Sequence, residues 1–175
     1  MYSGAKGTFD DGYIRYILDT YSDAVIRLCY SYVHSYHDAE DIAEDVFCEL
    51  VRCRMVFESD EHEKAWLLRV AVNKCKNHLK SARVRYTVSL EDESAAEPAA
   101  EGSEDDMLPK DDNPVVKAVM DLPEKYRTVI HLYYFEEMSI AQIAGVYKIS
   151  KATVGTRLAR GRALLKKRLG VDIDA

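Results

Sequence analysis

Lys151, Arg157, Arg160 and Arg162 fall within twelve residues near the end of the chain. Cations at that density suit phosphate oxygens, and an arginine fork also fits the edge of guanine in the major groove. Lys166, Lys167 and Arg168 follow directly. These three fit DNA and also fit the negative end of a helix, so two readings stand for them. A second polar stripe lies in the first half of the chain, where Arg69, Asn73, Lys76 and Lys80 recur at steps of three and four. No carboxylate occurs from Lys64 to Leu90. Trp66 stands near the start of this stripe, either stacking a base or filling the core. A third group is acidic: Asp38, Glu40, Asp41, Glu44, Asp45 and Glu49. Helix-dipole complementarity accounts for its beginning, and a solvated or protein-binding face for the remainder.

The elements that must carry these residues are helical. Met138-Ser139-Ile140-Ala141-Gln142-Ile143 spells a capping box on Ser139 and Gln142, with Met138 and Ile143 at the staple positions. Ile149-Ser150 repeats the cap eleven residues later, with Val154 as the partner of Ile149. That spacing leaves two turns of helix and a tight connection. Val154, Leu158 and Leu165 then share one face of the second helix. This is the layout of a helix-turn-helix, braced by an upstream helix that starts at Pro123 and carries Tyr126, Val129, Ile130 and Tyr133. In the first half, Ile14, Leu18, Tyr21, Val25, Leu28 and Tyr32 form one apolar stripe. Asp38 caps a second helix with Ile42, Val46 and Leu50 buried. A third helix, about 64–85, buries Leu68, Val72, Cys75 and Leu79.

The expected fold is all-α: two small helical domains, 1–88 and 115–175, joined by an acidic flexible linker over 89–114. The linker is rich in Glu, Asp, Ala and Pro, lacks aromatics, and cannot bury enough apolar surface to offset ordering. The chain has 175 residues and a net charge of −6. Residues 1–88 carry 12 Lys and Arg against 14 Asp and Glu; 89–114 carry 1 against 10; 115–175 carry 11 against 6. The acidity is thus concentrated in the linker, and the C-terminal domain is basic. Phosphate attraction acts over a Debye length of about 8 Å, so this local sign matters more than the total. Cys29, Cys48, Cys53 and Cys75 form no C-x-x-C pair, which points to reduced thiols rather than a metal or disulfide framework. No signal segment and no membrane-length apolar run is visible, so a soluble, cytoplasmic protein without membrane insertion is expected. No nucleophile–base set, glycine-rich phosphate loop or convincing metal set appears, so neither enzyme activity nor a cofactor is expected.

Three motifs in this order resemble a bacterial RNA polymerase sigma factor of the extracytoplasmic-function (ECF) group. His37-Asp38-Ala39-Glu40-Asp41-Ile42-Ala43-Glu44-Asp45-Val46-Phe47 is similar to the family's polymerase-binding helix. Ala65-Trp66-Leu67-Leu68-Arg69-Val70-Ala71-Val72-Asn73 is similar to its promoter-melting segment. Leu122-Pro123 through Arg162 is similar to its helix-turn-helix. The resemblance implies a factor that joins core RNA polymerase, directs it to promoter DNA and helps open the duplex. It places Asp38, Glu40, Asp41, Glu44 and Phe47 against core polymerase. It places Trp66, Arg69, Asn73, Lys76, Asn77 and Lys80 on the minus-ten element, with a flipped base held by the loop Glu58–Glu63. Ser150, Lys151, Thr153, Thr156, Arg157, Arg160 and Arg162 fall on the minus-thirty-five element. An anti-sigma factor is a further implied partner. The sequence departs from the family pattern at Gly155, Gly161, Lys148 and Asn77, where Lys, Ala, Gly and Asp are usual. The competing reading is a stand-alone helix-turn-helix regulator with an N-terminal sensing or dimerisation domain, which needs neither the acidic helix nor the Trp66–Lys80 stripe.

Overall fold

The computed structural model describes residues 10–90 and 113–170, without the side chains of 84–90. These residues form seven α-helices and one π-helical turn, and no strand occurs among them. The N-terminal domain comprises α1 (Asp11–Val33), α2 (Tyr36–Cys53) and α3 (Asp60–Leu90). The C-terminal domain comprises α4 (Pro114–Met120), α5 (Glu124–Ile130), a π turn (His131–Phe135), α6 (Ile140–Tyr147) and α7 (Lys151–Leu169). Most of the expected linker lies outside the described residues. At its edges Leu90 closes α3, and Asn113 caps α4 by accepting the Val115 N–H at 2.9 Å.

In α1 the buried face is Tyr13, Ile17, Tyr21, Val25 and Leu28 rather than the stripe through Ile14 and Leu18. Leu18 is exposed and Ile14 only half-buried, because α1 packs on both α2 and α3 and buries a wider arc than one row. Ile42, Val46 and Leu50 of α2 meet Leu68, Ala71, Val72 and Cys75 of α3 in the same core. The start of α2 also departs from expectation. Its cap is Ser35, whose hydroxyl accepts the Asp38 N–H at 3.2 Å, so Asp38 sits inside the first turn. The left-handed His34, φ 57°, ends α1 and forces this early restart.

In the C-terminal domain both expected caps form. Ser139 and Gln142 exchange hydrogen bonds, the Ser139 N–H reaching Gln142 Oε1 at 2.8 Å, and Met138 and Ile143 are buried as the staple pair. Ser150 accepts the Thr153 N–H at 3.1 Å. Val154, Leu158 and Leu165 are the buried face of α7. Lys148 in the turn is left-handed, φ 54°, a conformation that favours glycine, so the departure from Gly there is strained. Gly161 has a packing reason. A Cβ there would lie 2.9 Å from Ile130 Cγ1, so only glycine lets α7 approach α5 this closely.

The two domains dock directly. Helices α1 and α3 pack against α5, the π turn and α6.

Candidate nucleic-acid and partner interfaces

The capped turn lifts α7 so that Lys151, Thr156 and Arg160 are exposed, while Thr153, Arg157 and Arg162 are half-buried. Ser150 and Thr153 share a hydroxyl–hydroxyl hydrogen bond of 2.8 Å at the cap, and Thr156 donates back to the Ala152 carbonyl at 3.0 Å. These three hydroxyls are therefore committed to the helix start, leaving the cations as its most available donors. Arg160 hydrogen-bonds the Tyr126 hydroxyl, which lowers that phenol's pKa. Burial raises the Tyr147 phenol to about 12, against the opposing charge of nearby Arg157. Nothing lies within 4 Å of a Cβ at Gly155, so the Lys usual there would find room. Arg168 makes an ion pair with Asp121 at 3.3 Å, tying the end of α7 to the α4–α5 turn. That favours the helix-end reading for this residue.

On α3, Asn73, Lys76, Asn77 and Lys80 are exposed in one row, and Arg69 is half-buried. Trp66 does not join them. It is 6% exposed and packs edge-on to Phe57, ring centroids 5.7 Å apart. The correction has a simple cause: position 66 points with Leu67 into the bundle, where the indole buries more apolar area than a surface site allows. The expected base-holding loop is also shorter than its six residues. Helix α3 starts at Asp60, and Glu63 is buried with the Tyr13 hydroxyl as donor. Lys76 Nζ rests 5.0 Å from the Tyr147 ring centroid, across the domain boundary.

On α2, Glu40, Asp41 and Glu44 are exposed. Asp38 instead faces His78 at 3.7 Å and Asp45 faces Lys74 at 3.9 Å, both partners from α3. Asp41 lies in the second turn, 3.9 Å from His37. Phe47 is half-buried and lines an apolar groove with Ile14, Leu18, Leu50 and Val51. An exposed acidic edge beside a groove with exposed Leu18 and Val51 is suited to a basic, partly apolar partner. No group of three metal-ligating side chains occurs among the described residues.

Two residues with structural weight had no signal in the sequence. Arg127 is buried, and its guanidinium donates to the carbonyls of Met120 and Leu122 at 2.8 Å each and to that of Ser31 in α1. Glu136 is buried at the domain boundary among Arg27, Lys64 and His131.

These features define a two-domain, all-helical protein whose C-terminal domain is a capped helix-turn-helix. A family model for Sigma-70 region 2 matches residues 17–85, and one for Sigma-70 region 4 matches residues 113–165. The chain is 32% identical to the ECF RNA polymerase sigma factor SigW of Bacillus subtilis, over 87% of each chain. It is 31% identical to the RNA polymerase sigma-H factor of Pseudomonas aeruginosa, over 85% of this chain and 82% of that one. The structure superposes on the sigma factor RpoE solved with the anti-sigma factor NepR from Bartonella quintana. That match has a TM-score of 0.66 at 23% identity, over 90% of this chain and 97% of the other, and shows a common fold. The chain belongs to the ECF group of RNA polymerase sigma factors. It directs RNA polymerase to promoters. Proteins of this family are generally not enzymes. No described helix is long and apolar enough to cross a membrane.

Proposed function

We propose that the domains divide promoter recognition, with residues 10–90 serving core polymerase and the minus-ten element and residues 113–170 the minus-thirty-five element. The observation that carries this reading is the separation of three exposed surfaces on three helices: acids on α2, a polar cationic row on α3, and cations on the capped helix α7. Glu40, Asp41, Glu44 and Phe47 contact polymerase, and Asp38 acts through its pairing with His78. Arg69, Lys76 and Lys80 hold phosphates, while Asn73 and Asn77 read base edges, since a carboxamide both donates and accepts. Lys151, Arg157, Arg160 and Arg162 engage the minus-thirty-five duplex, with Ser150, Thr153 and Thr156 fixing the start of the helix that presents them. The chain works by binding and DNA distortion in the cytoplasm, without catalysis of its own. An anti-sigma factor is its proposed regulator, in keeping with the fold neighbour RpoE, which was solved with the anti-sigma factor NepR.

The test is competition between promoters by reconstituted holoenzyme. Alanine at Arg157 should weaken preference at one or two minus-thirty-five positions and leave minus-ten preference intact. Alanine at Asn73 should do the reverse. If both substitutions affect both elements alike, the division fails.

A further inference from the structure

The cations of α7 have a neighbour on another helix. Tyr126 of α5 lies against α7, and its hydroxyl accepts a hydrogen bond from Arg160. Glycine at 161 permits this approach. A Cβ at Gly161 would lie 3.5 Å from Tyr126 Cβ and 2.9 Å from Ile130 Cγ1, so the bare backbone brings α5 close enough for the phenol to reach the adjacent Arg160. Lys125 Nζ sits 5.0 Å from the Tyr126 ring centroid and gives the ring a second contact. The ring is half-buried and packs on the core, whereas Arg160 is exposed. The phenol is therefore the anchored member of the pair, and the guanidinium is the member that reaches solvent. Arg160 lowers the phenol's pKa, against burial and with help from Lys125, as expected of a charge-assisted hydrogen bond.

We propose that Tyr126 is a positioning residue for minus-thirty-five recognition: from α5 it fixes the plane of the Arg160 guanidinium, so that Arg160 discriminates between bases instead of only holding phosphate. The inference rests on the reading of α7 above. An unrestrained arginine on a helix surface samples many rotamers and is drawn to any phosphate, whatever the sequence. Reading a base edge is more demanding, because two donors of the fork must point at two acceptors together. A fork already held in one orientation loses less freedom when it makes that contact. The bond to Tyr126 occupies one N–H of the guanidinium and leaves the others for DNA. The recognition surface therefore spans two helices. Helix α7 supplies the cation, and α5, which sequence periodicity casts only as a brace, supplies its orientation.

The experiment uses holoenzyme reconstituted from core polymerase and the full chain, as wild type, Tyr126→Phe, Arg160→Ala and the double variant. Each competes for promoter fragments randomised at the minus-thirty-five element, and enrichment ratios give the base preference at every position. Tyr126→Phe keeps the ring and removes only the acceptor. It should reduce preference about fivefold at the one or two positions that Arg160→Ala also affects, the lower end of what a bidentate base contact provides. Its salt dependence should match that of wild type, whereas Arg160→Ala should lose about one counterion. In the Arg160→Ala background, Tyr126→Phe should change nothing further, because the hydroxyl acts only through the arginine. A merely structural role would instead lower affinity alike for every fragment. Unchanged preference in Tyr126→Phe, an equal loss on all fragments, or a further loss in the double variant overturns the positioning role. The reading of α7 is judged separately: if Arg160→Ala loses preference and Tyr126→Phe keeps it, only the positioning role fails, and if Arg160→Ala also keeps it, the assignment of Arg160 to the minus-thirty-five element fails with it.

Discussion

Arg157 and Arg160 sit one turn apart on α7 but in different surroundings. Arg157 is half-buried near Tyr147, and Arg160 is exposed and bonded to Tyr126. Arg157→Ala should cost ~1–3 kcal/mol at one or two minus-thirty-five positions if its fork reads a base, with core binding unchanged. Titration of holoenzyme on single-base promoter variants measures this, and an equal loss on every variant would leave Arg157 a phosphate contact only. The two glycines of α7 make a sharper residue-scale pair. Gly155→Ala meets open space and should stabilise the domain by roughly 0.5–1 kcal/mol through helix propensity. Gly161→Ala gains the same propensity but must displace the buried Ile130, an overpacking penalty of ~1–3 kcal/mol, and should be net destabilising by about 1 kcal/mol. Urea midpoints of the two variants should move in opposite directions. From the sequence both glycines look alike. Only the distance to Ile130 separates them, and that distance is a property of how α5 and α7 pack.

At the scale of elements, most of the chain was legible in its own residues. The Ser139 and Ser150 caps, the buried rows of α2, α3 and α7, and the helix-turn-helix all follow from periodicity and capping. The misses have physical causes. Trp66 is buried because its large indole gains much from leaving water, and Leu18 is exposed because periodicity alone does not set the angular width or centre of a buried face. The cap of α2 moved to Ser35 because the left-handed His34 was invisible in sequence. That shift changes what Asp41 should do. It lies beyond the first turn, where dipole effects fade, so Asp41→Lys should alter stability by less than ~0.5 kcal/mol. Its affinity for core polymerase should nevertheless fall severalfold. Chemical denaturation together with core-binding titration checks both halves, and a loss of affinity no larger than the loss of stability would reduce the acidic edge to a solvated face. On α3, Lys80→Ala should weaken open complexes on every promoter and reduce the salt slope by about one counterion.

At the scale of the whole molecule, the docking of the domains had no sequence signal, because Arg127, Glu136 and Tyr147 are single residues whose partners Ser31, Lys64 and Tyr32 lie far away in the chain. These cross-domain contacts exist only once both domains are folded. The pH dependence follows from Glu136. Its folded pKa, about 2, lies below the usual carboxylate value, so its stabilising contribution is complete above about pH 4.5 and is lost as pH falls toward 2. Glu136→Gln should therefore flatten the acid limb of the wild-type stability curve, as followed by denaturation between pH 5 and pH 2. An unchanged limb would mean the carboxylate is not held by its cations. The assignment of DNA surfaces to domains is open to direct measurement. Its most direct test is permanganate footprinting of holoenzymes carrying Asn73→Ala, Lys80→Ala or Arg157→Ala on one promoter with intact elements. Strand opening at the minus-ten element should fall for Asn73→Ala and Lys80→Ala at saturating holoenzyme. For Arg157→Ala it should recover fully once enough holoenzyme is supplied. Opening that is normal in both α3 variants, or that stays defective in Arg157→Ala at saturation, would contradict the account.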